Sequence, residues 1–193
     1  MRIGITGGIG SGKSYVARLL SAHLGIPVYD SDREARRLMV ESLEVRSALV
    51  ALLGEEAYTP SGELRKSVVA QYLFASADNA ARVNAIVHPA VKEDFLRWAE
   101  EQEEDVALES AILIEAGFRD VVDCLIEVTA PNELRIQRTM LRDGVGAEQV
   151  HRRMERQAPE TERLQAADFV IFNDGRPLLP QLMEFDNTFI HKE

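Results

Sequence analysis

One stretch near the N-terminus restricts what this chain can fold into more than any other. Gly7-Gly-Ile-Gly-Ser-Gly12-Lys13-Ser14 satisfies G-x-x-x-x-G-K-[ST] in full. The apolar run Arg2-Ile-Gly-Ile-Thr6 comes before it. Ser14 to Leu24 comes after it, with Val16, Leu19, Leu20 and Leu24 on one helical face. Gly25 is a helix stop, and Ile26-Pro-Val-Tyr29 reads as a second strand. The opening segment therefore predicts strand, glycine loop, helix, strand, which is a βαβ unit.

The residue types of the loop fit one chemistry. The oxygens of a nucleoside triphosphate must be met by several backbone N–H groups at once, and glycine lets the backbone curl that tightly and approach that closely. The helix that begins near Lys13 adds the positive end of its dipole. Lys13 can reach the β- and γ-phosphates, and the Ser14 hydroxyl can ligate Mg²⁺. Gly8, Ile9, Gly10, Ser11, Gly12, Lys13, Ser14 and Tyr15 are thus the expected ATP phosphate site. The loop does not by itself separate a kinase from a GTPase switch or a transport ATPase. A guanine-reading Asn-Lys-x-Asp element is missing, and so is the Ser-Gly-Gly-Gln signature of ABC ATPases. Asp143-Gly-Val-Gly146 matches a D-x-x-G switch by letter but follows a helix rather than a strand. A small-molecule kinase is the best reading.

Strand signal returns at Val106–Leu108, Cys124–Thr129 and Phe169–Phe172, separated by helical patterns over 131–142, 147–157, 160–167 and 177–189. Strands alternating with helices predict a parallel sheet covered on both faces. Residues 31 to about 104 carry no strand signal and look like a helical insertion. Within it, Ser31-Asp-Arg-Glu34 matches a capping box with Ser31 as N-cap and Glu34 reaching back. Gly54 and Thr59–Gly62 look like breaks, and His88-Pro89 is expected to open a new helix. The fold class is therefore an α/β P-loop kinase: a five-stranded parallel sheet, a helical substrate-domain insertion and a helical lid. The expected boundaries are 1–31, 105–130 and 158–193 for the nucleotide-binding core, 32–104 for the insertion and 131–157 for the lid.

Two charge patterns add candidate residues. Asp30 and Asp32 sit where a strand gives way to a helix, at the sheet edge from which the phosphate loop leaves. Asp32, ionised in the first helical turn, is a weak base, and a loose phosphoryl-transfer transition state tolerates a weak base. The alternative is that both merely surround a helix N-terminus, where Asp is common. Arg135, Arg138 and Arg142 share a helical face, and Arg152, Arg153 and Arg156 follow beyond a glycine-rich turn. They read either as a lid that neutralises a triphosphate or as a solvated face paired with Glu133, Asp143, Glu148 and Glu155.

Taken in order, these segments resemble the dephospho-CoA kinase family. The matching stretches are Ile5–Ser14, Asp30-Ser-Asp32, Ser61–Arg65 with Phe74, Ile86–Pro89, Glu109–Glu115, Arg138–Gly144, Gln157, and Ala167–Asn173 with Gly175. The resemblance implies transfer of the ATP γ-phosphate to the ribose 3′-hydroxyl of dephospho-CoA with Mg²⁺. It implies Asp32 as base, Arg138 or Arg142 as the lid arginine, and Asn173 near the adenine. It places Arg65, His88, Asp30 and Asp32 at the acceptor. Three positions depart from the family pattern: Tyr15 stands for Thr or Ser, Ala111-Ile-Leu-Ile-Glu115 lacks a Pro and an aromatic, and Arg135 stands for Gln.

The formal charge of −10 argues against general binding to nucleic acid or anionic membrane. A lone cysteine, Cys124, allows no intrachain disulfide, and no apolar run approaches the ~18 residues of a membrane span. A cytoplasmic enzyme is expected, a monomer or weak homo-oligomer, with ATP and dephospho-CoA as its partners. Glu109 is a further candidate, holding Mg²⁺ through water or orienting Asp32. The competing readings are another small-metabolite or nucleoside monophosphate kinase, and a non-catalytic nucleotide switch.

Overall fold

The computed structural model describes residues 1–191. Lys192 and Glu193, the end of the expected core segment 158–193, lie outside the described residues. In chain order the first half carries β1 (Arg2–Gly7), α1 (Lys13–Leu24), β2 (Val28–Asp30), α2 (Ser31–Glu41), α3 (Leu43–Leu53), α4 (Lys66–Ala75) and α5 (Ala77–Glu100). Then come β3 (Val106–Glu109), β4 (Cys124–Thr129), α6 (Asn132–Asp143), α7 (Ala147–Met154), α8 (Glu160–Ala166), β5 (Phe169–Phe172) and α9 (Leu178–Phe185). The chain divides into two compact units: Met1–Asp30 with the chain from Ala99 onward, and Ser31–Trp98.

The first unit is built on a five-stranded, wholly parallel sheet in the order β2-β3-β1-β4-β5. Pro27 has no N–H to give, so β2 begins one residue beyond it; the Pro27 carbonyl still accepts from the Ala107 amide at 2.9 Å. Ile3, Ile5, Ile126, Val128 and Ile171 of the strands pack with Val16 and Leu20 of α1 and Leu182 and Phe185 of α9. Each such side chain contributes about 1.5–3 kcal/mol on burial. β1 is the central strand. The chain leaves it through α1 toward β2 on one side, whereas β4 lies on its other side. The switch in direction opens a crevice at the C-terminal ends of the strands, which is where the glycine loop emerges.

The second unit is helical, with one isolated antiparallel bridge, Tyr58 to Leu64, closing the turn at Thr59–Gly62. Two expectations fail here. α5 does not open at His88; it opens at Ala77 and carries Pro89 in its interior. Pro89 forgoes a bond to the Ala85 carbonyl. The helix persists because Val83, Val87, Val91 and Phe95 form a continuous buried stripe across that point. The capping box at Ser31 also fails. α2 begins at Ser31 itself, and the Glu34 carboxylate accepts from Arg33 and Arg37 instead. Burial pushes the Glu34 carboxyl up, but the Arg37 and Arg33 hydrogen bonds outweigh it and leave it below its ordinary value. Among the described residues no helix is long and apolar enough to cross a membrane.

Candidate functional site

The glycine loop is closed by a hydrogen bond from the Ser11 amide to the Gly8 carbonyl, 2.9 Å. Gly10 and Gly12 have φ of 79° and 94°, a left-handed backbone that a side chain would strain. α1 starts from Gly12 with no side-chain cap. Its first-turn amides at Lys13 and Ser14 have no carbonyl behind them in the helix, so the dipole end is open to an anion. A cleft of about 320 Å³ lies over this loop. Its walls are Gly8, Gly10, Gly12, Lys13 and Ser14, with Tyr15 and Arg18 from α1 and Arg138 and Arg142 from α6. Four cations around one small cleft suit a polyanion. A larger cavity of about 650 Å³ is lined by Glu103, Glu104, Asp105 and Asp123 beside Met1 and Arg2, and its acidic wall would repel a triphosphate. Arg18 was not legible as a site residue, although it lies one turn beyond Ser14 and so shares its helix face. Its guanidinium lies 5.7 Å from the Tyr15 ring.

Glu109 ends β3 with one carboxylate oxygen 2.6 Å from Ser14 Oγ and 3.2 Å from Lys13 Nζ. The parallel register places Asp30 beside Glu109, at the same C-terminal edge. Ser14 and Glu109 therefore present hard oxygen donors together, the kind a divalent cation such as Mg²⁺ takes.

Beneath the loop is a set of largely buried charges whose pairing the sequence did not show. Arg135, 4% exposed, donates from Nε to the Ile9 carbonyl at 3.0 Å and from a terminal nitrogen to Asn132 Oδ1 at 3.1 Å. A Cβ on Gly8 would collide with the Arg135 guanidinium, and one on Gly10 with the Arg135 backbone carbonyl. Glu127, wholly buried in β4, accepts from Arg163 Nε at 3.0 Å. Glu160 lies 3.9 Å from Arg135 and accepts from Thr129. Two acids thus balance two guanidiniums. Burial pushes the Glu127 carboxyl up against the pull of Arg163. Burial, followed by the nearby Arg163 cation, pushes the Arg135 guanidinium down. A glutamate inside the apolar strand Cys124-Leu-Ile-Glu-Val-Thr129 was the signal available.

The other polar group of Ile9 is also held. Its amide donates to Gln157 Oε1 at 2.8 Å, and Gln157 Nε2 donates to the Ala111 carbonyl at 2.8 Å. Asn173 lies just past β5, with its side-chain amide donating to the Ser11 carbonyl at 2.8 Å. Arg138 reaches the Ser11 carbonyl at 3.5 Å and Asn173 Oδ1 at 3.4 Å. The arginines share a face toward the loop, as expected, but at different depths. Arg135 is buried against Ile9, while Arg138 and Arg142 line the cleft and Arg142 also binds Asp143 at 2.7 Å. Arg153 joins the same Asp143, and Arg152 pairs with Glu148.

The structure thus brings Gly8, Gly10, Gly12, Lys13, Ser14, Tyr15, Arg138 and Arg142 to one cleft, with Ile9, Ser11 and Asn173 as its frame. Asp32, Arg65 and His88 belong to the second unit. Asp32 is exposed in the first turn of α2, Arg65 immediately precedes α4, and His88 is half-buried in α5.

A family model described as dephospho-CoA kinase matches residues 1–178. Dephospho-CoA kinases of Bacteroides fragilis and Porphyromonas gingivalis are each 47% identical, covering 95% and 96% of this chain and 90% and 93% of theirs. A crystal structure from Thermus thermophilus superposes with a TM-score of 0.83 at 32% identity, covering 100% of this chain and 98% of its own. The fold is shared further with a dephospho-CoA kinase from Campylobacter jejuni, TM-score 0.71 at 18% identity, covering 100% and 98%. Shikimate kinase from Acinetobacter baumannii has TM-score 0.59 at 17%, covering 100% and 94%. With the phosphate loop intact and the match running almost end to end, this chain belongs to the dephospho-CoA kinase family.

Proposed function

We infer that this enzyme transfers the γ-phosphate of ATP to the 3′-hydroxyl of dephospho-CoA, giving CoA and ADP. The observation that carries the chemistry is the cationic cleft over the glycine loop, with Lys13, Arg18, Arg138 and Arg142 at its wall. The acceptor follows from family membership.

The transferring phosphoryl group carries its charge on equatorial oxygens, so the protein's task is positioning and charge stabilisation. Lys13 and the open amides of α1 hold the phosphate tail. Arg138, whose partners Ser11 and Asn173 are both neutral, is free to turn toward the γ-phosphate. Asp32 orients the acceptor hydroxyl and takes its proton late in the transfer. It follows Asp30, at the end of β2, by only two residues. Arg65 and His88 serve the acceptor side, and Asn173 borders the adenine. Mg²⁺ would be held by Ser14, with Glu109 behind it, and when bound it neutralises charge on the β- and γ-oxygens. The α6–α7 hairpin, within 131–157, serves as the lid.

The test is purified protein with ATP, Mg²⁺ and dephospho-CoA, following ADP. ADP should form only with the acceptor, faster than with nucleoside monophosphates or shikimate. Equal rates across acceptors would reject the assignment. Asp32→Asn and Lys13→Ala should each cut turnover at least ~100-fold, the usual loss for a main transition-state contact. Near-normal turnover in Asp32→Asn would remove the base.

A further inference from the structure

Ile9 is the one loop residue whose two backbone polar groups are both held by side chains from elsewhere. Its carbonyl accepts from Arg135 Nε at 3.0 Å, and its amide donates to Gln157 Oε1 at 2.8 Å. Arg135 lies in α6 and Gln157 follows α7, so the two grips come from the two ends of the α6–α7 hairpin. The grip from α6 is built rather than incidental. Arg135 is 4% exposed, the missing side chain of Gly8 leaves room for its guanidinium, and Glu160 stands 3.9 Å away as counter-charge. Neither Arg135 nor Gln157 lines the cleft. An amide that donates to Gln157 does not face a phosphate. Holding it there fixes the peptide plane and so the direction of the amides that follow.

We propose that Arg135 and Gln157 are positioning residues: together they clamp the Ile9 peptide and preform the phosphate loop for the nucleotide. The effect falls on ATP and not on the acceptor, because the phosphate loop is the one ligand-binding segment of the proposed site that the clamp holds; its other contacts, at Ala111, Asn132 and Glu160, are to residues given no role in binding. Binding ATP to an unclamped loop must first order it, and that ordering is paid out of affinity. The inference rests on the reading of the cleft as an ATP site.

The experiment compares wild type, Arg135→Met and Gln157→Ala. The first measurement is direct binding of ATP and Mg²⁺ by calorimetry without acceptor, and the second is steady-state kinetics with dephospho-CoA. Each variant should lose about tenfold in ATP affinity, the size of one strong hydrogen bond. KM for ATP should rise by the same factor, while KM for dephospho-CoA stays within about twofold on the same argument. Removing the Arg135 charge disturbs Glu160 and Glu127, so Gln157→Ala decides the matter if Arg135→Met does not fold. Unchanged ATP affinity in a folded Gln157→Ala would overturn the clamp, as would equal rises in both KM values. Wild type that binds ATP but ignores dephospho-CoA would sink the acceptor assignment and leave the clamp testable by binding alone.

Discussion

The two halves of α6 use the same residue type in opposite ways. In the first half, Arg135 is buried against the glycine loop and balanced by Glu160, in a layer that also holds Glu127 and Arg163. In the second half, Arg142 and, across the turn, Arg153 share Asp143 in solvent. Hydrogen bonds from Arg142 and Arg153 hold the Asp143 carboxyl below its ordinary value despite some burial. Arg138 lies between these halves and faces the cleft. A periodicity that predicts one face therefore says nothing about depth. Depth is set by what packs against each turn, and here the bare backbone of Gly8 and Gly10 lets α6 come close at Arg135 and Thr139.

That contrast can be broken by substitution. The largest effect belongs to the buried half. Glu127→Ala leaves Arg163 charged and unpaired in the interior, which should cost about 3–5 kcal/mol in urea unfolding. A loss under about 1 kcal/mol would mean the layer is wetter than its burial indicates. Next comes Arg138→Ala, expected to lower kcat about 10–100-fold with little change in melting temperature. Should Arg142→Ala cost more than Arg138→Ala, the lid arginine is Arg142 instead. At the solvated end, Arg153→Ala should change stability by no more than about 0.5 kcal/mol, and that little should shrink further in high salt.

A comparably small effect is one of pH in the helical unit. Burial holds His88 below its ordinary value. The unfolded imidazole then takes up its proton at a higher pH than the folded one. The stability His88 contributes is present above the unfolded value, about 6.5, and is lost as pH falls through it toward the lower folded value. Melting curves of His88→Gln should therefore lack part of the acid-side decline of wild type, on the order of 2 °C. Identical pH profiles would show that His88 does not contribute.

Much of this was legible in the sequence. The loop, its flanking strand and helix, and the five parallel strands follow from local pattern, because glycine geometry and apolar runs act over short distances. Cys124 is a buried strand residue as its surroundings implied. What failed was non-local. Pro89 signals a break, and only the buried stripe from Val83 to Phe95 shows why the helix continues. Glu34 looks like a cap residue until Arg37 is seen to claim it. Arg135 read as a lid or surface arginine like its neighbours, since its counter-charge Glu160 and the nearby Glu127 lie on other elements. Glu109 could be named from its place after an apolar run, but its approach to Ser14 and Lys13 needed the sheet register.

The central claim is that the cleft over Lys13 delivers phosphate to one particular hydroxyl. Phosphorus NMR of the product after complete turnover of dephospho-CoA with ATP and Mg²⁺ tests it most directly. The account predicts a single new phosphate monoester on the ribose 3′-oxygen, formed one for one with ADP. ATP consumed with free phosphate released and no phosphorylated acceptor, or a phosphate at any other position, would contradict it.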